Sequence, residues 1–392
     1  MRTIQCVRAG WLAAAVSVCT LIGGAALAAT STERPGSILI FPKVVTSGTR
    51  DTVIQITNTG NTFDDLRCFY LNGQSCFETD FVVSLTKQQP TVWRAGVGRP
   101  VNPIDGQKGL DPGLIPPLPL NFMGALICVE VDTSDAPVPK NQIKGEATLV
   151  DHSGTSTGSD VSKYNAVAIP GFAGQNNGDN TLKLNDGEYG ACPASLVLNF
   201  QRDGGPDPII EALGNGGRCS AGSSSPGAPC NSDNVPSDCP GGSCQDGQSR
   251  IATRLTVLPC MLDIAGLTKT KVSLHFQGKD EAEANFSGGR TFSCWDSFTV
   301  DRTQIGVVAT PNLTMNIRGD TPVFAVAEVF HSDSIANTAS SAVNLHGQGL
   351  CSTGPLTGSP CNRNADCNPG TTTGNTCSAD FVAGTTITIP EE

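Results

Sequence analysis

Short runs of alternating apolar and polar residues, separated by turn residues, recur along most of the chain. In the stretch Asp51–Gly60, Ile54 and Ile56 fall on one face of an extended segment, while Val53 and Gln55 fall on the other. The stretch is rich in β-branched residues and closes with Asn, Thr, Gly and Asn. This pattern predicts a β-strand that ends in a turn.

The same pattern predicts strands in both halves of the chain and very little helix. The predicted strands are Ser37–Phe41, Asp51–Thr57, Leu66–Leu71, Phe81–Thr86, Thr91–Trp93, Phe122–Val131, Gly145–Val150, Ala166–Ile169, Ser195–Phe200, Ile251–Leu258, Val272–Phe276, Arg290–Phe292, Phe298–Val300, Leu313–Ile317, Val323–Phe330 and Thr385–Ile389. Asp207–Gly214 has an N-cap, a proline at the first helical position and a terminal glycine, which predict a short helix. Ser334–Leu345 shows a weak helical periodicity.

The length of 392 residues and the strand spacing together predict the fold class and the domains. Strands and turns that repeat every ~10–15 residues are typical of paired antiparallel sheets. We therefore predict an all-β protein with two antiparallel, immunoglobulin-like β-sandwich domains, 29–172 and 173–392. The segment 95–121 contains six prolines and is predicted to be a long surface loop, either a crossover between sheets or a functional loop.

Composition and charge exclude some classes of partner. Charged residues make up 16% of the chain, and the formal net charge is −11. Nucleic-acid binding requires clustered Lys and Arg, and no such cluster is visible, so the sequence argues against a nucleic-acid partner. The acidity is explained by solubility or, alternatively, by binding of divalent cations.

The first 28 residues have the features of a secretory signal peptide. Arg2 and Arg8 form a basic start, Trp11–Leu27 is apolar, and an Ala-Leu-Ala cleavage site ends at Ala28. No later stretch approaches the ~20 apolar residues that a membrane span needs. The sequence therefore predicts an exported chain that is extracellular, at the cell surface or in the periplasm.

The cysteines predict a disulfide-rich protein. Of the 16 cysteines, Cys6 and Cys19 lie in the predicted signal peptide, and 14 remain. An even number of cysteines in an exported chain indicates disulfides. The predicted disulfide residues are Cys68, Cys76, Cys128, Cys192, Cys219, Cys230, Cys239, Cys244, Cys260, Cys294, Cys351, Cys361, Cys367 and Cys377.

Eight of these cysteines fall in two similar inserts, 217–248 and 349–380. Each insert contains a Gly-x-Pro-Cys step and an Asp directly before its third cysteine. About 30 polar residues cannot form a hydrophobic core, so disulfides must hold each insert in shape. The pattern is similar to small disulfide knots of the whey-acidic-protein type, although it lacks that family's adjacent cysteine pair and its eight cysteines. Zinc is the alternative, but no C-x2-C step is present.

The remaining six cysteines allow a specific pairing hypothesis. Cys68 and Cys76 flank an Asn-Gly turn and are predicted to pair. Cys192 and Cys260 bracket two strands that an antiparallel pairing would bring together. Cys128 is then assigned to Cys294 by elimination.

No motif identifies a catalytic or metal site. Ser156 lies in a G-x-S-x-G match, but no helix is predicted after it, which favours a flexible turn over a nucleophile elbow. The four histidines, His152, His275, His331 and His346, form no zinc-protease motif. The sequence therefore predicts no enzyme, no metal site and no cofactor.

Weaker alternatives remain for ligand binding. Asp280–Glu283 is an acidic cluster that is typical of a solvated turn. Gly174–Asn180 and Asn185–Glu188 carry oxygen ligands that suit calcium but match no calcium motif. Trp93 and Trp295 are the only tryptophans after the predicted signal peptide, which gives little material for an aromatic sugar platform.

Parts of the chain resemble two known groups of proteins. The strands at Ser37–Phe41 and Asp51–Gly60 resemble the start of immunoglobulin-like domains in bacterial envelope proteins and pilus-assembly chaperones. A wider set of segments resembles uncharacterised exported bacterial proteins. These segments are Thr79–Phe81, Leu85–Trp93, Gly145–Thr148, Glu188–Pro193, Leu255–Cys260 and Cys294-Trp295. The resemblance implies a fold and an exported location, and it implies no activity.

These observations predict an exported, non-enzymatic structural or interaction protein, for which self-assembly is possible. In this hypothesis the strands are the scaffold, and the proline-rich loop and the two cysteine inserts face partners. The alternatives are a secreted or periplasmic module that binds a glycan, peptide or metal, and a secreted hydrolase that uses Ser156 or a carboxylate pair.

Overall fold

The structure is a computed structural model that describes most of the chain after the predicted signal peptide. The described residues are 30–99, 114–152, 160–184, 188–203, 207, 217–226, 229–230, 239–245, 249–269, 271–306, 310, 312–333, 338–351, 356–357, 360–361, 367, 377–378 and 385–391. Within these residues the chain is all-β, as the alternating pattern predicts, with one short helix, α1 (Arg302–Ile305).

The first half of the chain supplies two sheets. In spatial order, sheet 1 consists of β4 (Glu78–Leu85), β3 (Asp64–Asn72), β6 (Met123–Val131), β1 (Ile38–Val45) and β9 (Val167–Ile169). Sheet 2 consists of β5 (Pro90–Arg94), β2 (Arg50–Asn58), β7 (Ile143–Asp151) and β8 (Asp160–Asn165). All neighbouring strands in these two sheets are antiparallel.

Three further sheets complete the body, and a small sheet lies in the first cysteine insert. Sheet 3 consists of β10 (Thr181–Leu184), β26 (Thr385–Thr388) and β16 (Leu262–Asp263). Sheet 4 consists of β18 (Asn285–Ser293), β17 (Lys271–Asp280), β20 (Asn312–Gly319), β11 (Ser195–Gln201) and β23 (His346–Cys351), and it extends into β24 (Pro360–Cys361) and β25 (Cys377–Ser378). Sheet 5 consists of β19 (Asp296–Thr299), β15 (Ser249–Pro259), β21 (Val323–Asp333) and β22 (Thr338–Asn344). The insert sheet consists of β13 (Pro229–Cys230), β12 (Gly217–Cys219) and β14 (Cys244–Gln245).

The expectation of two immunoglobulin-like β-sandwiches is wrong. The five body sheets form a five-bladed β-propeller of small sheets, which are antiparallel except for the β16–β26 pair. Strands far apart in the chain share a sheet: β10 pairs with β26, and β11 pairs with β20 and β23. The alternating pattern identifies strands, but it contains no information about which distant strands pair.

Within the described residues of the body, the hydrophobic side chains form three cores, and the second one uses both halves of the chain. Sheets 1 and 2 enclose the first core, and sheets 4 and 5 enclose the third. The opposite face of sheet 1 packs on sheet 3 and on one end of sheet 5 in the second core. Every residue of β1 is buried, because Leu39 and Phe41 face the first core while Ile38 and Ile40 face the second. A strand covered on both faces has a continuous apolar sequence in place of alternation.

A buried ion-pair cluster links sheets 1, 2 and 5. The Lys43 ammonium donates a hydrogen bond to one carboxylate oxygen of Glu328, and Nη2 of Arg50 donates to the other at 2.5 Å. Lys43 and Glu328 are at most 1% exposed. Burial lowers the pKa of Lys43 to about 8, against the opposing effect of Glu328, while the two cations hold the pKa of Glu328 below its ordinary value despite its burial.

The structure differs from the sequence-based expectation in one segment with helical periodicity and in one predicted loop. Ser334–Leu345, with its weak helical periodicity, contains strand β22 in its described part, because its serines and alanines pair along β21. The ends of the proline-rich segment 95–121 are not a free surface loop: Arg99 and Ile115 exchange backbone hydrogen bonds, and Ile115 is fully buried in the first core. The middle of that segment, most of the predicted helix 207–214, Ser156 and the predicted signal peptide lie outside the described residues.

Candidate functional site

The disulfides of the body differ from the predicted pairing in two of three cases. Cys192 pairs with Cys260, as predicted. Cys68 pairs with Cys128, and the Cα atoms of these directly opposite residues on β3 and β6 are 4.0 Å apart. Cys76 pairs with Cys294, so the predicted Cys68–Cys76 and Cys128–Cys294 pairs are wrong.

The reason for this error lies in the two faces of sheet 1. Cys68 and Cys128 face the first core, whereas Cys76 and Cys294 face the second. Cys76 is therefore close to Cys68 in sequence, but the turn after β3 places it on the opposite side of the sheet. These disulfides indicate an oxidising environment, as found outside the cytoplasm.

The two cysteine inserts share one architecture, in agreement with their similar sequences. In the first, β12 pairs with β13 and β14, and Cys219 is bonded to Cys239. In the second, β23 pairs with β24 and β25, and Cys351 is bonded to Cys367. The register is the same in both, since the last residue of the first strand, Cys219 or Cys351, lies opposite the fourth cysteine, Cys244 or Cys377. In each insert the first cysteine is bonded to the third.

The side chains first considered for chemistry are mostly structural. Trp93 is buried and donates from Nε1 to the Tyr70 hydroxyl at 2.6 Å, and Trp295 donates to the Pro42 carbonyl at 2.7 Å. Both tryptophans therefore belong to cores and form no sugar platform. Nδ1 of His331 lies 2.5 Å from Oδ2 of the buried Asp207.

The acidic and calcium-like segments make internal hydrogen bonds. Oδ1 of Asp280 accepts from the backbone N–H groups of Ala282 and Ala284, so it shapes the β17–β18 turn. In the loop at 174–180, Asn176 and Asp179 accept backbone N–H groups two residues ahead. No group of three or more His, Cys, Asp or Glu side chains suited to a metal occurs in the described part of the chain, and no described helix is long and apolar enough to cross a membrane.

A trough on the outer face of sheet 4 is the best candidate for a functional site. Its cavity volume is about 1050 Å³. It is lined by outward-facing side chains of β11, β20, β17 and β18 and also by Phe200, Phe286 and Leu313, which belong to the third core. Most of these outward side chains are amides or hydroxyls: Asn199, Gln201, Gln277, Asn285, Ser287, Asn312, Thr314 and Asn316. We call these eight residues the amide face.

Cross-strand register arranges the amide face in rows. One row is Asn199, Thr314, Lys279 and Asn285, and the next is Asn316, Gln277 and Ser287. Neighbouring strands in a sheet are about 4.8 Å apart, so each row presents a hydrogen-bonding group at that interval.

One end of the face is paired internally and the middle is open. Nε2 of Gln201 donates to Oδ1 of Asn312 at 3.3 Å, and Nδ2 of Asn312 donates to Glu281 at 2.6 Å. By contrast, Gln277 and Asn316 have no side-chain hydrogen bond to any described residue. The middle of the trough therefore offers unused donors and acceptors to a ligand.

Gly278 lets the strands beneath the trough pack closely. A Cβ atom on Gly278 would lie 2.2 Å from the Phe286 ring and 2.4 Å from the Thr314 carbonyl oxygen. The Phe286 ring thus covers the glycine from the inner side, and β17 and β18 can pack closely there. A glycine paired with a cross-strand aromatic is a known way of shaping a sheet.

The amide face was not predicted from the sequence, although a signal for it was present. Asn is depleted in strands because its side chain competes for backbone hydrogen bonds. Asn199, Asn285, Asn312 and Asn316 nevertheless occupy outward strand positions. Amides that recur at alternate positions of several strands are the signal that could have found the site.

Comparison with known proteins gives no family and no function. No protein-family model matches the chain, and no curated protein matches it. Among solved structures, the chain is similar to Thermotoga maritima 1070, at 11% identity over 34% of this chain and 95% of that one, with a TM-score of 0.24. It is also similar to the PBSX exported protein XepA, at 10% identity over 74% and 86% with a TM-score of 0.15, and to the Pleurotus ostreatus lectin, at 10% identity over 82% and 78% with a TM-score of 0.13. Likenesses at such TM-scores carry no argument about fold or function.

Proposed function

We propose that this protein is an exported, non-enzymatic interaction protein that binds a polysaccharide through the amide face. The single observation that carries the proposal is the open row of uncharged hydrogen-bonding side chains, Asn316, Gln277 and Ser287, on the floor of a trough. The body disulfides support an exported location. Within that location we favour the cell surface or the extracellular space.

The chemistry of the face suits sugar hydroxyls. Each amide side chain presents both an acceptor oxygen and two donor hydrogens, and each sugar hydroxyl can both donate and accept. An array of amides can therefore pair with successive hydroxyls without leaving a polar group unsatisfied. Six of the eight residues of the amide face are exposed to solvent, which suits a chain-like ligand.

An ordinary solvated sheet face in the same molecule provides the contrast. On the outer face of sheet 2, Lys163 pairs with Glu146 at 2.5 Å and Arg94 pairs with Asp51 at 2.9 Å. That face carries charges of both signs that neutralise each other. The amide face has a different composition, which supports a binding role over simple solubility.

The placement of the acids near the trough supports the proposal of a non-enzymatic role. Glycoside hydrolysis requires two carboxyl groups placed on either side of the scissile bond. Near the trough, Oδ1 of Asp280 is engaged by the turn, and Glu281 accepts a hydrogen bond from Asn312. Both acids lie at the same end of the trough.

The test is a binding measurement with a matched control. We would titrate the full mature chain with soluble polysaccharides, both neutral (dextran, xyloglucan) and acidic (polygalacturonate), by calorimetry. The double variant Gln277→Ala/Asn316→Ala should weaken binding by about five-fold or more, because two hydrogen-bonding side chains contribute ~0.5–1.5 kcal/mol each. Gln55→Ala, on the outer face of sheet 2, should leave binding unchanged.

Two results would refute the proposal. One is the absence of binding to every polysaccharide in the panel. The other is binding that Gln277→Ala/Asn316→Ala and Gln55→Ala affect equally, which would place the contact elsewhere on the surface.

A further inference from the structure

The charged residues at the outward-facing positions of β11, β17, β18 and β20 are all basic. The strands β11, β17, β18 and β20 are described along their whole length. Their outward-facing positions carry the cations Lys271, Lys279 and Arg318 and the histidine His275, and they carry no carboxylate. Two acids line the trough: Asp280, the buried last residue of β17, and Glu281, which follows it. Asp320 comes directly after the end of β20.

This distribution is opposite to that of the whole chain. The chain has 36 acidic and 25 basic residues, with a net charge of −11. Its composition alone would place more acids than bases on any sheet face. We call Lys271, His275, Lys279 and Arg318 the basic stripe. This stripe is a local feature of an acidic protein, and local fields of this kind attract ligands of the opposite charge.

The basic residues are spread along the outer face of sheet 4. Lys271, His275 and Lys279 occupy alternate outward positions of β17, with Ser273 and Gln277 between them, and Arg318 lies directly opposite His275. The nearby acids accept hydrogen bonds from the protein: Asp280 from the Ala282 and Ala284 N–H groups, Asp320 from the Ser273 N–H at 3.0 Å, and Glu281 from Asn312.

We infer that the ligand of the amide face is an acidic polysaccharide, whose carboxylate or sulfate groups contact the Lys279 and Arg318 region while its hydroxyls contact the amides. This inference rests on the proposed function and narrows its ligand class. Lys279 shares a row with the amides and has no hydrogen bond or ion pair to any described residue. The bases and the amides lie on the same strands, so one extended chain can contact both.

The experiment compares three polymers and two lysine variants in the full mature chain. The polymers are polygalacturonate (acidic sugar), dextran (neutral sugar) and poly-glutamate (acidic peptide). The variants are Lys279→Gln and the matched control Lys144→Gln, which removes one cation from the outer face of sheet 2. Each titration is run at ~0.05 M and ~0.5 M salt, because screening shortens the range of exposed charges from about 14 Å to about 4 Å.

We expect polygalacturonate to bind more tightly than dextran and poly-glutamate. Lys279→Gln should weaken polygalacturonate binding by about two- to five-fold, which is the range for one exposed ion pair. High salt should weaken it further, and Lys144→Gln should have no effect.

Two outcomes would overturn the inference, and they separate it from the proposed function. Equal binding of dextran and polygalacturonate, unaffected by Lys279→Gln but weakened by Gln277→Ala/Asn316→Ala, would refute the acidic ligand and leave polysaccharide binding intact. Equal binding of poly-glutamate and polygalacturonate would show that charge alone is recognised, and it would refute a sugar ligand.

Discussion

Replacing Glu328 with glutamine should destabilise the protein strongly and in a pH-dependent way. Glu328 is fully buried and accepts hydrogen bonds from Lys43 and Arg50. Glutamine has nearly the same shape, and its oxygen can still accept one hydrogen bond. It cannot compensate the positive charge of the buried Lys43.

The expected loss follows from the burial of the pair. Removing one partner of a buried ion pair costs ~3–5 kcal/mol, because the other charge is left desolvated. Since the glutamine retains one acceptor and Asp151 lies 3.0 Å from Nε of Arg50, we expect the lower end, about 3 kcal/mol. That is a large fraction of the ~5–15 kcal/mol by which a folded protein is usually stable.

The pH dependence gives a second signature. The pKa of Lys43 is lowered to about 8 in the folded state, from 10.5, so between these values the unfolded state binds more protons. The contribution of Lys43 to the free energy of unfolding therefore rises with pH in that window, by at most ~1.4 kcal/mol per unit. In Glu328→Gln the buried Lys43 loses its proton more readily, so the deficit relative to wild type should be smaller at pH 9 than at pH 6.

Urea unfolding of both proteins at pH 6 and pH 9, followed by fluorescence of the buried tryptophans, measures these differences. The matched control is Glu146→Gln, which breaks the half-exposed pair with Lys163 and should cost no more than ~1 kcal/mol. A loss below ~1 kcal/mol for Glu328→Gln at pH 6, or an equal deficit at both pH values, would refute this account of the buried cluster.

Three further perturbations test other parts of the fold. Replacing Cys76 and Cys294 together by serine should lower the free energy of unfolding by ~5 kcal/mol, because this disulfide closes a loop with a sequence separation of 218; an unchanged urea midpoint would contradict that. Burial raises the pKa of Glu130 to about 8. The protonated form therefore stabilises the fold below the unfolded pKa, and this contribution is lost as the pH rises to 8. The decline in melting temperature from pH 5 to pH 9 should flatten in Glu130→Gln, and an equally steep decline would exclude this carboxyl as its source. Gly278→Ala should lower the melting temperature by an amount equivalent to ~1–3 kcal/mol, because the added Cβ meets the Phe286 ring; a variant as stable as wild type would show that the ring moves aside freely.

Strands near the centre of each sheet were predictable, and their pairing was not. Asp51–Thr57 and Val323–Phe330 lie within β2 and β21, because alternating β-branched residues fit a half-buried strand. Strand β8 was missed, since Asp160–Asn165 carries mainly polar residues and becomes a strand only by pairing with β7. The two-sandwich expectation failed for the same reason: the choice of partner depends on contacts between residues far apart in the chain.

The candidate site was predictable in part. The predicted strands Val272–Phe276 and Leu313–Ile317 lie within β17 and β20, and their alternation places Thr314 and Asn316 away from the core. Nothing local indicates that β11, which lies about a hundred residues earlier, completes the same face. The basic stripe depends equally on the register that places Arg318 opposite His275.

The sequence by itself determined the all-β class, the abundance of disulfides and the similarity of the two cysteine inserts, because each of these follows from local spacing and residue type. Only the tertiary structure decided which sheets form, which face of sheet 1 each cysteine occupies, and where the amide face lies. The physical reason is that hydrophobic burial and charge pairing act between residues brought together by folding, as with Lys43 and Glu328, whose separation in the chain is 285 residues. A linear pattern of hydrophobic and polar positions indicates that a side chain must be buried, but it does not indicate which residues that side chain packs against.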